Sequence, residues 1–238
     1  MRIITIASAK GGVGKTTTAV MLAQALARRG IATLAVDLDP NNSLTDYFLR
    51  DTAPDTIERH SVLHVLTGAR QAPDCIVPHE LGLSVLGATP ALATFATHIA
   101  QDGGAIMRLG SRLRKLDYDA VVIDTPPSLS PLLQAGLYAA DLVLCPVAPH
   151  RWILQAAELM RAELERIADD TGTAKPCKVV YSMATAKELD TLQALGLDAC
   201  ATPIRKAAAL AKAVDKAKPL PSGALHDAYF ELSQEVYP

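Results

Sequence analysis

The sequence predicts an α/β fold with a mainly parallel central sheet flanked by helices on both faces, and three observations carry that prediction. Apolar runs of strand length alternate along the 238 residues with longer segments of helical character. Most of the short runs are rich in Val, Ile and Leu without polar alternation, as in strands covered on both faces. The run ending at Ala7 leads into a glycine-rich turn and then a helix, a strand–loop–helix unit.

In chain order, strands are expected at Arg2–Ser8, Ala32–Asp37, Leu83–Leu86, Ala120–Asp124, Leu142–Val147 and Lys178–Met183. The intervening segments predict helices at Thr16–Arg29, Ile106–Leu116, Trp152–Ala168, Ala186–Leu195, Arg205–Ala217 and Ala224–Val236. Gly30 stands where a glycine closes a helix in the left-handed conformation. A further helix near Ser43 would place Ser43 and Asp46 at capping-box spacing. Asp51–Pro78, rich in Pro, Asp and Thr, is the least regular stretch, with a short helix expected near Ser61–Leu66 and loops around it. No repeat or low-complexity linker interrupts the pattern, so a single domain over 1–238 is expected. In a sheet of this kind, ligands bind at the carboxyl ends of the strands.

Half the residues are hydrophobic and a fifth are charged, the balance of a globular chain without long disordered tails. A formal net charge of −2 argues against a surface basic all over and leaves room for a local basic patch. Cys75, Cys145, Cys177 and Cys200 are widely spaced and form no ligand set, which predicts buried thiols in a reducing compartment. Arg2, the short strand and the glycine loop do not read as a signal peptide, and no uncharged run approaches a membrane span. A cytoplasmic protein is expected.

Residues 9–17 read Ala-Lys-Gly-Gly-Val-Gly-Lys-Thr-Thr. A strand ending in such a turn and opening into a helix leaves several backbone N–H groups aimed at one spot, where they and the helix dipole seat a phosphate. Gly11, Gly12 and Gly14 let the backbone approach phosphate oxygens without a Cβ in the way. Lys10, Gly11, Gly12, Val13, Gly14, Lys15, Thr16 and Thr17 form the candidate nucleotide-binding set. Lys15 would reach the β- and γ-phosphates of ATP, and the Thr16 hydroxyl would hold Mg²⁺.

Two carboxylates extend this site. Asp39, 24 residues after Lys15, follows a strand expected to lie beside the first one, and could hold a water in line with the γ-phosphate or tune the metal's shell. The alternative is that Asp37 and Asp39 cap the helix starting near Ser43. Asp124 ends the apolar run Val121-Val122-Ile123, where a carboxylate can accept hydrogen bonds from water on Mg²⁺. Metal contact is therefore expected at Thr16, Asp39 and Asp124, through water for the two aspartates. Pro126 and Pro127 behind Asp124 stiffen its loop.

Ala9 and Lys10 depart from the usual P-loop pattern, and the segment resembles the deviant Walker A motif of the ParA/MinD superfamily of ATPases. Asp37-Leu38-Asp39-Pro40 resembles the family's Asp-x-Asp-Pro, and Tyr118–Leu133 is similar to its Walker B stretch. Thr202–Leu220 resembles its C-terminal region, with Ala217 at a position often held by Gly and Ser182–Ala184 where some relatives carry an Asn-Arg pair against adenine. The resemblance implies a P-loop NTPase of the deviant Walker A type that hydrolyses ATP slowly with Mg²⁺. It implies catalytic roles for Lys10, which reaches across a dimer to the partner's nucleotide, for Lys15, and for Asp39, which positions the attacking water. It further implies an ATP-closed sandwich homodimer that binds DNA nonspecifically on the nucleoid, partitions a plasmid or chromosome, and is stimulated by a ParB-type centromere-binding protein.

Related functions share such a site. Some relatives position protein cargo on the nucleoid, and MinD-type members switch on membranes. Small-molecule ligases share the fold, but no motif here supplies a substrate pocket. A membrane switch needs a basic amphipathic helix, whereas Ala224–Val236 carries Asp227, Glu231 and Glu235 without Lys or Arg. DNA binding needs a local basic surface, for which Arg205, Lys206, Lys212 and Lys216, with Lys218, are the candidates. Arg151 and the cluster Arg108, Arg112, Arg114 and Lys115 are weaker ones.

Overall fold

Ile3, Val121 and Ile123 turn to one face of the central sheet, and Ile4, Val122 and Leu144 turn to the other. Strand side chains alternate, so a continuous apolar run feeds two cores at once. The computed structural model describes residues 1–102, 104–149 and 153–238. Its strands are β1 (Arg2–Ile6), β2 (Thr33–Asp37), β3 (Val77–His79), β4 (Leu83–Leu86), β5 (Ala120–Asp124), β6 (Leu142–Val147), β7 (Cys177–Ala184) and β8 (Ile204–Arg205). They form one sheet in the order β3-β4-β2-β5-β1-β6-β7-β8, in which every pair is parallel except β3–β4.

The helices among the described residues are α1 (Lys15–Arg28), α2 (Ser43–Leu49), α3 (Pro54–Arg59), α4 (Val62–Thr67), α5 (Phe95–Gln101) and α6 (Ala105–Leu113), followed by α7 (Pro131–Ala139), α8 (Ile153–Thr171), α9 (Ala186–Gln193), α10 (Ala208–Asp215) and α11 (Ala224–Val236). Leu22 and Leu26 of α1, Phe48 of α2, Leu210 of α10 and Leu232 of α11 pack on the Ile4 face. Val65, Phe95, Leu109 and Ala135, from α4 to α7, pack on the Ile3 face. On the same side, α8 and α9 cover β6 and β7 through Met160, Leu164, Leu189 and Leu192. Among the described residues no helix is long and apolar enough to cross a membrane.

Several expectations change. The strand of Asp37 does not lie beside β1, because β5 is inserted between β2 and β1. All three are parallel and in register, so Asp37 still pairs with Asp124 at the same edge. The expected helix Arg205–Ala217 begins only at Ala208: Ile204 and Arg205 pair with β7, and the Lys206 N–H donates to the Ala184 carbonyl at 3.2 Å. Backbone pairing with β7 thus takes donors that a first helical turn would leave free.

The capping box at Ser43 and Asp46 does not form. Asn42, in the left-handed region at φ 49, occupies the cap position with no side-chain hydrogen bond, and Asp37 instead accepts from the Thr45 N–H at 2.9 Å. Ser61 does cap α4, accepting from Leu63. Trp152 and Arg151 lie outside the described residues, and α8 runs from Ile153. Helix α7 was not anticipated, although Ser130 at its cap and Pro131 in its first turn are the usual start signals. Strands β3 and β8, three and two residues long, are too short for periodicity to register.

Candidate functional site

The carboxyl ends of β1, β2 and β5 gather the glycine loop and three aspartates at one edge of the sheet. After β1 the backbone turns through Gly12 at φ 73 and Gly14 at φ 88, conformations that exclude most side chains. Helix α1 has no side-chain cap hydrogen bond, so its first-turn N–H groups remain available to an anion seated in the loop. Val13 is held from below, its carbonyl accepting from the Ser182 hydroxyl at 2.7 Å. Lys10, Gly11 and Gly12 are exposed.

Lys15 is only 7% exposed and folds over the loop, its Nζ donating to the Lys10 carbonyl at 3.0 Å. Burial pushes its pKa below the ordinary value, while the negative charges of Asp124 and Asp39 and the Cys145 thiol pull it back up. The amine is held near carboxylates and tethered to the Lys10 carbonyl, which it can exchange for a stronger acceptor.

Asp124 is fully buried, and among the described residues neither carboxylate oxygen makes a hydrogen bond, although the Thr16 hydroxyl lies beside it. Burial raises its pKa well above the usual carboxylate value, and Asp37 adds to the shift. Asp37, also fully buried, accepts from the Asp39 N–H at 3.0 Å, the Thr45 N–H at 2.9 Å and the Thr45 hydroxyl at 2.8 Å. Burial lifts its pKa to about 6 despite those bonds, with the Asp39 carboxylate pushing the same way. Asp39 is nearly buried and accepts from the Asn41 N–H at 2.9 Å. The capping alternative thus describes Asp37, which is spent on α2, whereas Asp39 keeps one carboxylate oxygen unassigned. An unpaired buried carboxylate is costly in isolation; beside Thr16 and Asp39, it suits a hydrated divalent cation.

Two hollows flank the loop. One, about 280 Å³, is lined by Gly14, Thr17, Met183, Ile204, Lys206 and Ala207, with Tyr229 at its back. Met183 stands at φ 55 on an irregular stretch of β7 between Ser182 and Ala184. The other, about 350 Å³, lies between Asp39, Pro40, Pro126, Pro127 and Ser128. A larger cavity of about 940 Å³ sits between α2, α3 and the end of α10, and its lining includes neither Lys15 nor Asp124. Size does not locate the chemistry here.

Nucleotide-loop candidates Lys10 to Thr17, together with Asp39 and Asp124, therefore meet at one edge. The basic candidates do not form one helical stripe: Arg205 is on β8, Lys206 faces the 280 Å³ hollow, Lys212 is on α10, and Lys216 caps its end. All four are exposed. Of the weaker candidates, Arg108 pairs with Asp102 and Arg114 pairs bidentately with Asp141 at 2.6 and 3.2 Å. Sequence reasoning marked Met183 only within Ser182–Ala184, the stretch that stands where some relatives carry an adenine-contacting pair, and did not single out Thr18 or Tyr229. No motif marks Thr18 or Tyr229, since they meet Met183 only when α1, β7 and α11 are assembled.

Comparison with known proteins follows the same outline. Residues 1–174 match a family model described as an AAA domain. The chain is 38% identical over 167 residues to the chromosome-partitioning ATPase Soj of Thermus thermophilus, covering 70% of this chain and 63% of that protein. It is also 38% identical over 159 residues to the chromosome partitioning protein ParA of Myxococcus xanthus, covering 65% and 54%. The matched region thus spans between about half and two thirds of the length of these relatives. Among solved structures, cobyrinic acid a,c-diamide synthase of Mycobacterium smegmatis, with bound ADP and magnesium, superposes with a TM-score of 0.83 at 27% identity, covering 98% of this chain and 93% of that one.

Proposed function

The chain belongs to the ParA family of the ParA/MinD superfamily of P-loop ATPases, and on that premise we propose that it is a Mg-ATP-dependent ATPase that partitions a plasmid or chromosome. The observation that carries the proposal is Asp124, buried and without a hydrogen bond among the described residues, beside Thr16 and Lys15 at the mouth of an uncapped, glycine-rich helix start. We read residues 1–238 as one ATPase domain.

In this reading the N–H groups of Gly11 to Thr17 bind the phosphates, and Lys15 leaves the Lys10 carbonyl for the β- and γ-phosphate oxygens. Mg²⁺, when bound, neutralises charge developing on the phosphate oxygens. The Thr16 hydroxyl would hold it directly, with Asp124 and Asp39 accepting hydrogen bonds from its water. Asp39 orients the attacking water, and the base lies in the 280 Å³ hollow beside Met183. Exposed Lys10 reaches the nucleotide of a second copy, closing a sandwich dimer. That dimer meets DNA phosphates through Arg205, Lys212 and Lys216, with Lys206 at the edge of the nucleotide hollow, so binding is sequence-independent. Hydrolysis is slow, is stimulated by a ParB-type protein, and releases the DNA, which places the protein on the nucleoid.

A MinD-like membrane switch is disfavoured because Tyr229, Leu232 and Val236, the apolar face of α11, are packed in the core. The likeness to the diamide synthase favours a second reading, an ATP-dependent amide-forming enzyme with the same phosphate seat. Turnover separates the two. The partition reading expects DNA binding that requires ATP, is lost in Lys10→Ala although nucleotide still binds, and accompanies hydrolysis stimulated by DNA and partner. ATP turnover indifferent to DNA and partner but dependent on a carboxylate acceptor would reverse the choice.

A further inference from the structure

Helix α11 carries an acidic side chain where a helix least favours one. Glu235 lies in its last turn, at the negative end of the dipole, and is exposed. Its carboxylate is nonetheless fully engaged, accepting from the Ala201 and Thr202 N–H groups at 2.8 Å each and from the Thr202 hydroxyl. Ala201–Thr202 begins a strap that runs through Pro203, β8 and Lys206 into α10.

One edge of the strap is fixed to β7. The Cys200 N–H donates to the Val179 carbonyl at 2.8 Å, and Ile204 pairs with Ser182. Its Ile204, Lys206 and Ala207 line the 280 Å³ hollow, and Gly14, Thr17 and Thr18 line it from the glycine loop and α1. Helix α11 is tied to α1 as well. The Arg29 guanidinium, just past the end of α1, donates to the Ser233 carbonyl at 2.7 Å, and the Tyr229 phenol lies against Thr18. A single helix therefore holds both elements, α1 through Arg29 and Tyr229 and the strap through Glu235.

We propose that Glu235 is a positioning residue for the nucleotide: by anchoring the Ala201–Ala207 strap to α11, it sets the width of the hollow that receives the base, without touching the phosphates. The proposal rests on the reading of the adjoining glycine loop as an ATP site. It predicts that the base and the phosphate chain respond differently to loss of the anchor. Inorganic tripolyphosphate carries the phosphate chain alone and makes no use of the strap.

The test is calorimetric titration of ATP and of tripolyphosphate, each with Mg²⁺, into the wild type, Glu235→Ala and Glu235→Gln. Glu235→Ala is expected to weaken ATP about tenfold, equivalent to about 1.4 kcal/mol, and to change tripolyphosphate by less than about twofold. Glu235→Gln, which keeps one acceptor oxygen, should fall between. Equal weakening of both ligands, or no change for ATP, overturns the proposal. If Glu235→Ala lacks a cooperative melt, Thr202→Val, which removes one of the three donors, takes its place in the same comparison, and loss of folding in both variants also overturns it. A wild type that binds neither ligand would instead remove the ATP reading on which the proposal stands.

Discussion

At the scale of single residues, Asp37, Asp39 and Asp124 show how one side-chain type acquires different tasks. Asp37 spends its oxygens on Thr45 and the Asp39 backbone, Asp124 has only the Thr16 hydroxyl beside it among the described residues, and Asp39 keeps one oxygen open. Asp39→Ala is therefore expected to slow single-turnover hydrolysis by about a hundredfold or more, the size of a lost general-base contribution, with Mg-ATP affinity retained. Filter binding on the same preparation should find the variant on DNA longer than the wild type; hydrolysis at the wild-type rate would exclude Asp39 from water activation. Ala217 illustrates a different residue-level conflict. It closes α10 at φ 47, with Lys218 N–H donating back to the Ala213 carbonyl at 2.9 Å, a geometry in which a Cβ is strained. Ala217→Gly should raise stability by about 0.5–1 kcal/mol, and a thermal midpoint no higher than wild type would contradict the strain.

Among the elements, α7 sits directly behind the site and depends on the absence of one side chain. A Cβ on Gly136 would stand 2.9 Å from the Thr125 methyl and 3.2 Å from the Thr5 methyl. Neither threonine can turn away cheaply: Thr5 donates to the Gly136 carbonyl at 2.9 Å, and Thr125 to the Ile6 carbonyl at 2.8 Å. Gly136→Ala is expected to cost about 1–3 kcal/mol by overpacking and to push β1 and β5 apart where they carry the glycine loop and Asp124. Denaturant melts together with ATP affinity would check both consequences; a neutral melt would mean that α7 slides freely. The same helix marks a limit of pattern reading. Its Ser-Pro start was legible at Ser130 and Pro131, but its nine residues are mostly apolar, so no amphipathic stripe announced it.

For the whole molecule, the buried carboxylates link folding to pH. Asp37 binds its proton up to about pH 6 when folded but only to about 3.8 in its ordinary state, so between those values the folded chain holds more protons than the unfolded one. Stability of the ligand-free protein should therefore fall as pH rises from about 4 to about 6, by on the order of 3 kcal/mol from Asp37, and Asp124 extends the decline upward. Thermal melts at pH 5 and pH 8 should rank the acidic sample higher, with Mg-ATP narrowing the gap by stabilising the ionised carboxylates. A higher midpoint at pH 8 without ligand would contradict the pairing of these two aspartates. Taken by itself, the sequence determined the parallel sheet, the glycine loop, Lys15 and the strand-terminal Asp124, because each is written locally in an apolar run, a glycine spacing or a strand ending in a carboxylate. Tertiary structure alone decided that β5 separates β2 from β1, that Asp37 serves α2 while Asp39 stays open, and that Met183, Tyr229 and the Glu235 strap stand around one hollow. Those facts depend on pairing between segments up to about two hundred residues apart, such as Arg29 with Ser233, and no local pattern encodes which distant backbone donor a given carboxylate will meet.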